Sequence, residues 1–354
     1  MTATMAEFRC VRCLADVDFR LEGDYVTCPK CGERFPLVKG EIPVFLEDSL
    51  AASNAYGSAF REGAQAYDST WNIDPAHGRW VMDRLLALEP GILELANQPL
   101  LEIGAGTGHL TRTLAAGSHL PYSKLWVTDL SAEMLSVNWQ HRAPEERDRP
   151  VRYMVCNVLR IPLPDAKLGG VFGFDILHHV LNYTQGLAEI ARVLRPGGVC
   201  VLKEPHRGAY LFLSFLSRAL LRAGSANWLI GPLSRRDRAR LDGWQAHALR
   251  LMELHDRGEH EALRQIDDKY FFDPKRLAAE ARQLGFRRFS EANVLFREAE
   301  RIPYTPMFLD HFRGLGLSPR ALDLVAELGA DVDATIGQFL LEHAPINTLF
   351  LFWK

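Results

Sequence analysis

Neither sign of charge dominates this sequence. Its 41 basic and 44 acidic side chains leave a net charge of −3 over 354 residues, so no global basic field speaks for nucleic acid, although local patches stay open. Long hydrophobic runs are also missing. The most apolar stretch, residues 210–221, is interrupted by Arg218 and is too short to span a bilayer, and MTATMAEFRC has no apolar core of signal-peptide length. The expectation is a cytoplasmic protein with no membrane span. Cysteine is sparse outside one region: four of the six fall within the first 31 residues, while Cys156 and Cys200 sit at strand-like positions as buried packing residues. What is present in quantity is apolar surface. At 47% hydrophobic residues the chain can bury a substantial core, and its length fits one large domain plus a small one, with the oligomeric state left open.

Residues 99–110, PLLEIGAGTGHL, organise the rest. Leu100, Leu101 and Ile103 form a short apolar run that breaks at Gly104, Gly106 and Gly108 and resumes as Leu110 and Leu114 at helical spacing. That pattern is a buried strand, a tight turn and a helix. Glycine suits the turn because its dihedrals are unusual and because a ligand must approach bare backbone at a helix start. Twenty-one residues after Gly108, the strand-like Leu125, Trp126, Val127 and Thr128 end in Asp129, where such folds place a carboxylate on a ribose diol. A dinucleotide fingerprint needs glycine at its sixth position. Here that position is His109, so nothing in the turn is specialised for a pyrophosphate.

With LEIGAGTGHL and VTDLS come CNVLRIPLPD (156–165), VFGFDILHHV (171–180) and LRPGGVCVL (194–202). In this order, across residues 80–205, they resemble the motifs of class I S-adenosylmethionine-dependent methyltransferases. The resemblance implies an α/β fold, a Rossmann-like class I methyltransferase sheet with helical insertions. It also implies S-adenosyl-L-methionine as methyl donor, contacted by Glu102, Gly104, Ala105, Gly106, Gly108, Asp129, Leu130, Asn157 and Val158. The family commonly has aspartate where Asn157 stands, contacting the adenine amino group. An amide oxygen would accept the same hydrogen bond. Before the core, AFREGAQAYDSTW is either a linker or a flap in which Tyr67 and Trp71 cover the sulfonium, a cation over aromatic faces.

The strand 170–174 delivers Asp175, His178 and His179 to its carboxyl end, and the strand 199–202 leads to Glu204 and His206 on the same edge, the ligand crevice of open parallel sheets. Methyl transfer is an in-line displacement in which positioning dominates. A general base is needed only when the acceptor must lose a proton, and histidine suits that role. Position alone leaves all five residues as catalytic candidates, since in the resembling family the second histidine of such a pair frequently braces the loop. Two insertions follow. Residues 207–273 open with AYLFLSFLSRALLRAG, carry Trp228, Trp244 and the basic run RRDRAR (235–240), and are expected to form a helical lid; 301–343 carry Tyr304, Met307, Phe308, His311 and Phe312. Lids of this size enclose small or amphipathic substrates and exclude water. The expected acceptor is a small, partly apolar molecule. RNA or protein methylation is the alternative, weakened because DILHHV stands where an N-P-P-Y-type motif would be, and a noncatalytic scaffold of the same fold is a third reading.

Residues 1–48 stand apart from the methyltransferase part, 49–354. Cys10-Val-Arg-Cys13 and Cys28-Pro-Lys-Cys31 form two C-x2-C knuckles fourteen residues apart, the spacing of a four-thiolate structural zinc site, with disulfides or a redox dithiol as alternatives. The segments between and after them read as hairpins turning at Gly23-Asp24 and Lys39-Gly40. So small a unit needs the metal to fold. The ending FPLVKGEIPVFL resembles the zinc-binding activator subunits of tRNA and protein methyltransferases.

Overall fold

The computed structural model describes residues 4–47, 63–70, 75–223, 233–293 and 304–354. Trp71 and Trp228 lie outside the described residues, as do residues 301–303 of the second insertion. In chain order the structure opens with strands β1 (Thr4–Arg9), β2 (Asp16–Glu22), β3 (Tyr25–Thr27), β4 (Arg34–Val38) and β5 (Ile42–Phe45). Helices α1 (Ala64–Thr70) and α2 (Pro75–Leu88) lead into the alternating core: β6 (Gln98–Glu102), α3 (Thr111–Ala116), β7 (Tyr122–Asp129), α4 (Ala132–Gln140), α5 (Pro144–Arg147), β8 (Val151–Cys156), β9 (Leu168–Phe174), α6 (Tyr183–Val193) and β10 (Leu194–Pro205). Then come α7 (Arg207–Ala223), α8 (Arg235–Arg257), α9 (Pro274–Gln283), β11 (Arg288–Ala292), α10 (Thr305–Gly314), α11 (Pro319–Thr335), α12 (Gly337–His343) and β12 (Asn347–Trp353).

The central strands run β8-β7-β6-β9-β10 in parallel, with β12 antiparallel to β10 and β11 antiparallel to β12. This is the class I methyltransferase fold. Its strands are covered by helices on both faces, which is why β6, β9 and β10 read as nearly continuous apolar runs rather than alternating ones. The order reverses at β6, which pairs with β7 on one side and β9 on the other. A crevice opens at the carboxyl ends of the strands at such a switch point.

Both expected amino-terminal hairpins form, β2 with β3 and β4 with β5. Their sheet continues into the core through β5, which pairs in parallel with β8 through Val44–Val155 and Phe45–Cys156. Phe8, Phe19, Phe35 and Phe45 pack ring against ring at 5.1–6.0 Å, and Phe8 meets Trp126 of β7 at 5.2 Å. Each such pair adds about 0.5–1.5 kcal/mol beyond its buried area, so the amino-terminal strands are held on the core by packing as well as pairing.

Helices α10 and α11 bring Tyr304, Phe308 and Phe312, all fully buried, into one cluster with Leu213, Leu216 and Leu220 of α7. These aromatics are the core of an added helical layer. Among the described residues no helix is long and apolar enough to cross a membrane.

Candidate active site

The turn after β6 has the conformation that its glycines permit. Gly104, Gly106 and Gly108 have φ of +61°, +52° and +107°, the region that side chains with a Cβ rarely adopt. A Cβ on Gly104 would sit 2.2 Å from Ile176, whereas at Gly106 it would meet nothing within 4 Å. The bare backbone at Gly106 therefore faces open space. Beside it, Asp129 accepts the Gly106 N–H on Oδ2 at 2.8 Å and the Ser131 N–H on Oδ1 at 2.8 Å. Burial raises the Asp129 pKa above the usual carboxylate value.

Turn and carboxylate border a cavity of about 440 Å³ at the switch point. Nine of the ten residues expected at the donor line it: Tyr67, Glu102, Gly104, Ala105, Gly106, Asp129, Leu130, Asn157 and Val158. Gly108 does not. Its missing Cβ makes room instead for Asn138 and Arg112, at 2.6 and 2.8 Å, so it serves the turn. Glu102 is buried at the cavity floor, accepts the Thr111 hydroxyl at 2.7 Å, and is pushed up to about 8 by burial. Tyr67 reaches the cavity from α1. Asn157 Oδ1 accepts the Leu159 N–H at 2.9 Å, and its Nδ2 is buried with no hydrogen-bond partner among the described residues. A ligand can therefore meet a donor at Nδ2 as well as the second lone pair of Oδ1.

Leu46 also lines the cavity, as do Ser131, Ala132, Glu133 and Met134 at the start of α4. The Ser131 N-cap, whose hydroxyl accepts the Met134 N–H, was the local signal for that helix start. For Leu46 no local signal exists, because only the pairing of β5 with β8 carries it there.

The five catalytic candidates separate. Asp175 and His179 line the cavity; His178, Glu204 and His206 do not. Asp175 is a non-glycine residue at φ +54° and pairs with Lys203 at 2.6 Å. Glu204 is wholly buried and accepts the backbone N–H groups of Ile176, Leu177 and His178 at 3.2, 2.6 and 3.3 Å, as well as the His178 ring at 2.6 Å. That makes it the clamp of the loop after β9. Burial alone would depress the His178 ring, but Glu204, with Asp268 at 3.5 Å from Nε2, outweighs it and holds the imidazolium up to about 10. His179 is the opposite case: burial and the neighbouring His178 cation push it down to about 4. Its Nδ1 lies 2.9 Å from the Asp267 carbonyl, which can only accept, so Nδ1 carries the proton and Nε2 the lone pair. His206 accepts the Gly208 N–H on Nδ1 at 3.0 Å and is pushed by burial to about 4. It caps the start of α7.

His178, His179 and Asp268 bring ligand-type atoms within 4.8 Å of one another. Both His178 nitrogens and Nδ1 of His179 are already committed to Glu204, Asp268 and the Asp267 carbonyl, so we read them as an ion-pair network. Glu204→Gln is accordingly expected to lower thermal stability sharply, by about 3–5 kcal/mol, the usual cost of breaking a buried pair from one side. Thermal unfolding of the variant checks it, and an unaltered Tm would remove Glu204 from this role.

In the amino-terminal unit the four cysteines converge. Cys10 Sγ lies 3.7 Å from Cys31 Sγ and Cys13 Sγ 3.8 Å from Cys28 Sγ, far beyond the ~2.05 Å of a disulfide. All four are free thiols within 4.8 Å of one another. The knuckles are closed by Leu14 N–H to Cys10 O and Gly32 N–H to Cys28 O, both 2.9 Å, with Leu14 and Gly32 at φ +57° and +76°.

Residues 101–202 match the family described as "Methyltransferase domain". The chain is 27% identical over 161 residues to 27-O-demethylrifamycin SV methyltransferase of Amycolatopsis mediterranei, a match covering 43% of this chain and 58% of that protein. It is 31% identical over 158 residues to malonyl-[acyl-carrier protein] O-methyltransferase of Serratia marcescens, covering 44% and 54%. The chain thus spans little more than half the length of these curated relatives. Among solved structures, the complex between the Haloferax volcanii Trm112 methyltransferase activator and a methyltransferase is similar over 87% of this chain and 98% of that one, at 12% identity and a TM-score of 0.44. Family match and strand order together define the central unit as a methyltransferase domain of the class I fold.

Proposed function

We propose that this chain is a cytoplasmic enzyme that transfers the methyl group of S-adenosylmethionine to a small, partly apolar acceptor held beneath α7, α8 and the second helical layer. The observation that carries this reading is the cavity itself, where a glycine turn, the Asp129 carboxylate, Asn157 and Tyr67 meet a neutral His179. Asp129 holds the ribose diol, the open backbone at Gly106 admits the donor, and Asn157 offers its amide N–H to a ring nitrogen of the adenine. Tyr67 covers the sulfonium. The donor supplies an electrophilic methyl group on sulfur. This chain's part is to align the acceptor, exclude water and, for a hydroxyl or acidic carbon, accept its proton at His179 Nε2. The names of the two relatives, one acting on 27-O-demethylrifamycin SV and one on a carrier-bound malonyl group, favour an acceptor that is not a macromolecular surface. Mass spectrometry of a cellular extract incubated with the protein and isotopically labelled donor tests the reading. Label is expected in a small-molecule fraction; label in RNA or protein would overturn the acceptor class.

The amino-terminal unit is read as a structural zinc ribbon. A tetrahedron with Zn–S of about 2.3 Å has edges of about 3.8 Å, which the two measured sulfur separations match. Four thiolates leave no open position, so the metal supports folding rather than reaction. Elemental analysis is expected to find one zinc per chain. Chelation, or Cys28→Ser, should expose the amides of β1–β4 to hydrogen exchange before those of β6–β10. Full protection in the metal-free protein would refute it.

A further inference from the structure

Helices α7 and α8 run antiparallel. Arg207 at the start of α7 pairs with Asp256 near the end of α8 at 2.6 Å, and Gln245 donates to the Ser214 carbonyl at 3.0 Å half-way along. Continued at the same rate, that register brings the carboxyl end of α7 beside the amino end of α8. The far end of the pair lies roughly 22 Å along the helix from the catalytic edge at Arg207, at 1.5 Å per residue.

The outer face of the pair, from the first turn of α7 to this far end, has an unusual composition. On α7, Leu211, Phe215, Arg218 and Arg222 fall on one exposed stripe at i, i+4, i+7 and i+11. Phe215 is 64% exposed and Leu211 43%. Arg235 and Arg236 open α8 and are exposed too. Arg218, Arg235 and Arg236 form no ion pair with any of the described residues. The acid within the same run, Asp237, is buried and turned inward, where it accepts the Ser318 N–H and hydroxyl at 2.8 Å each. Residues 207–257 hold nine arginines against four acids, in a chain whose net charge is −3.

We propose that the exposed stripe of α7, together with the start of α8, docks the protein on an anionic phospholipid bilayer, with Phe215 and Leu211 entering the acyl boundary and Arg218, Arg235 and Arg236 meeting lipid phosphates. Charge complementarity and the apolar pair argue for this partner together. Guanidinium groups attract anionic lipid, and exposed phenyl and isobutyl groups beside them gain by leaving water. A nucleic acid would use the arginines but not Leu211, which has no ring to stack, while Phe215 already has Phe212 beside one face at 6.3 Å and 27°. The proposal is independent of the methylated acceptor.

Co-sedimentation of the full-length protein with vesicles decides it. Vesicles of phosphatidylcholine with about one-third phosphatidylglycerol should retain the protein, pure phosphatidylcholine vesicles should not, and retention should fall with salt. R218Q/R235Q/R236Q should weaken binding about a hundredfold, at roughly fivefold per arginine. Phe215→Ser should weaken it roughly tenfold. Both changes are on the surface, so Tm should hold, and the salt titration of the unaltered protein needs no variant at all. No retention on anionic vesicles, retention that ignores salt and both variants, or retention of an RNA oligonucleotide with none of the vesicles would each overturn the proposal.

Discussion

Asp129→Ala is expected to weaken S-adenosylmethionine binding by about a hundred- to ten-thousandfold. The two oxygens of Asp129 are held by the Gly106 and Ser131 N–H groups at 2.8 Å, which fixes the carboxylate against the glycine turn. A ribose diol there would give it two charge-assisted hydrogen bonds, each worth roughly 1.5–3 kcal/mol. Alanine removes both at once and also frees the turn amide at Gly106. Isothermal titration of variant and parent with S-adenosylmethionine measures the loss. Unchanged affinity in a folded variant would place the nucleoside outside this cavity and would overturn the proposed donor site with it.

His179→Gln should lower turnover by about a hundred- to ten-thousandfold, the usual contribution of a general base, while donor affinity changes little. The pH dependence adds a sign that a bracing role would not give. His179 must be neutral to take a proton, and its pKa is depressed from 6.5 to about 4. The acid limb of kcat should therefore lie near pH 4, and the rate should stay flat where a histidine of ordinary pKa would already be losing activity. Stability follows the same shift. The neutral buried ring contributes fully above the unfolded value of 6.5, and that contribution is lost as pH falls toward 4. His178 works in the other direction. Raised to about 10 by Glu204 and Asp268, it stabilises the fold fully below 6.5, and that contribution is lost as pH rises through about 10. His178→Gln should therefore lower Tm at neutral pH and reduce donor binding and turnover together. If His179→Gln keeps full turnover, or loses stability in the same proportion as rate, positioning without a histidine base is the better mechanism.

Read on its own, the sequence was sufficient for every feature that resides in a contiguous run. The Leu100–Leu114 pattern dictated strand, glycine turn and helix because dihedral freedom and helical period are local properties, and the turn glycines do take positive φ. Asp129 was legible because the βαβ crossover has a nearly fixed length, which brings a strand end some twenty residues downstream back beside the turn. The hairpins at Gly23 and Gly40 and the convergence of two C-x2-C knuckles follow from turn chemistry of the same short range.

What needed the tertiary structure was everything set by residues far apart in the chain. Neighbouring His178 and His179 are alike in sequence, and only Glu204 and Asp268, 26 and 90 positions away, make one an imidazolium and leave the other neutral at the cavity wall. Leu46 reached the cavity through the pairing of β5 with β8, more than a hundred residues apart. The physical reason is common to both. A side chain's protonation state and exposed polarity are set by the groups packed against it in space, and those groups come from distant segments that only the folded chain brings within bonding distance.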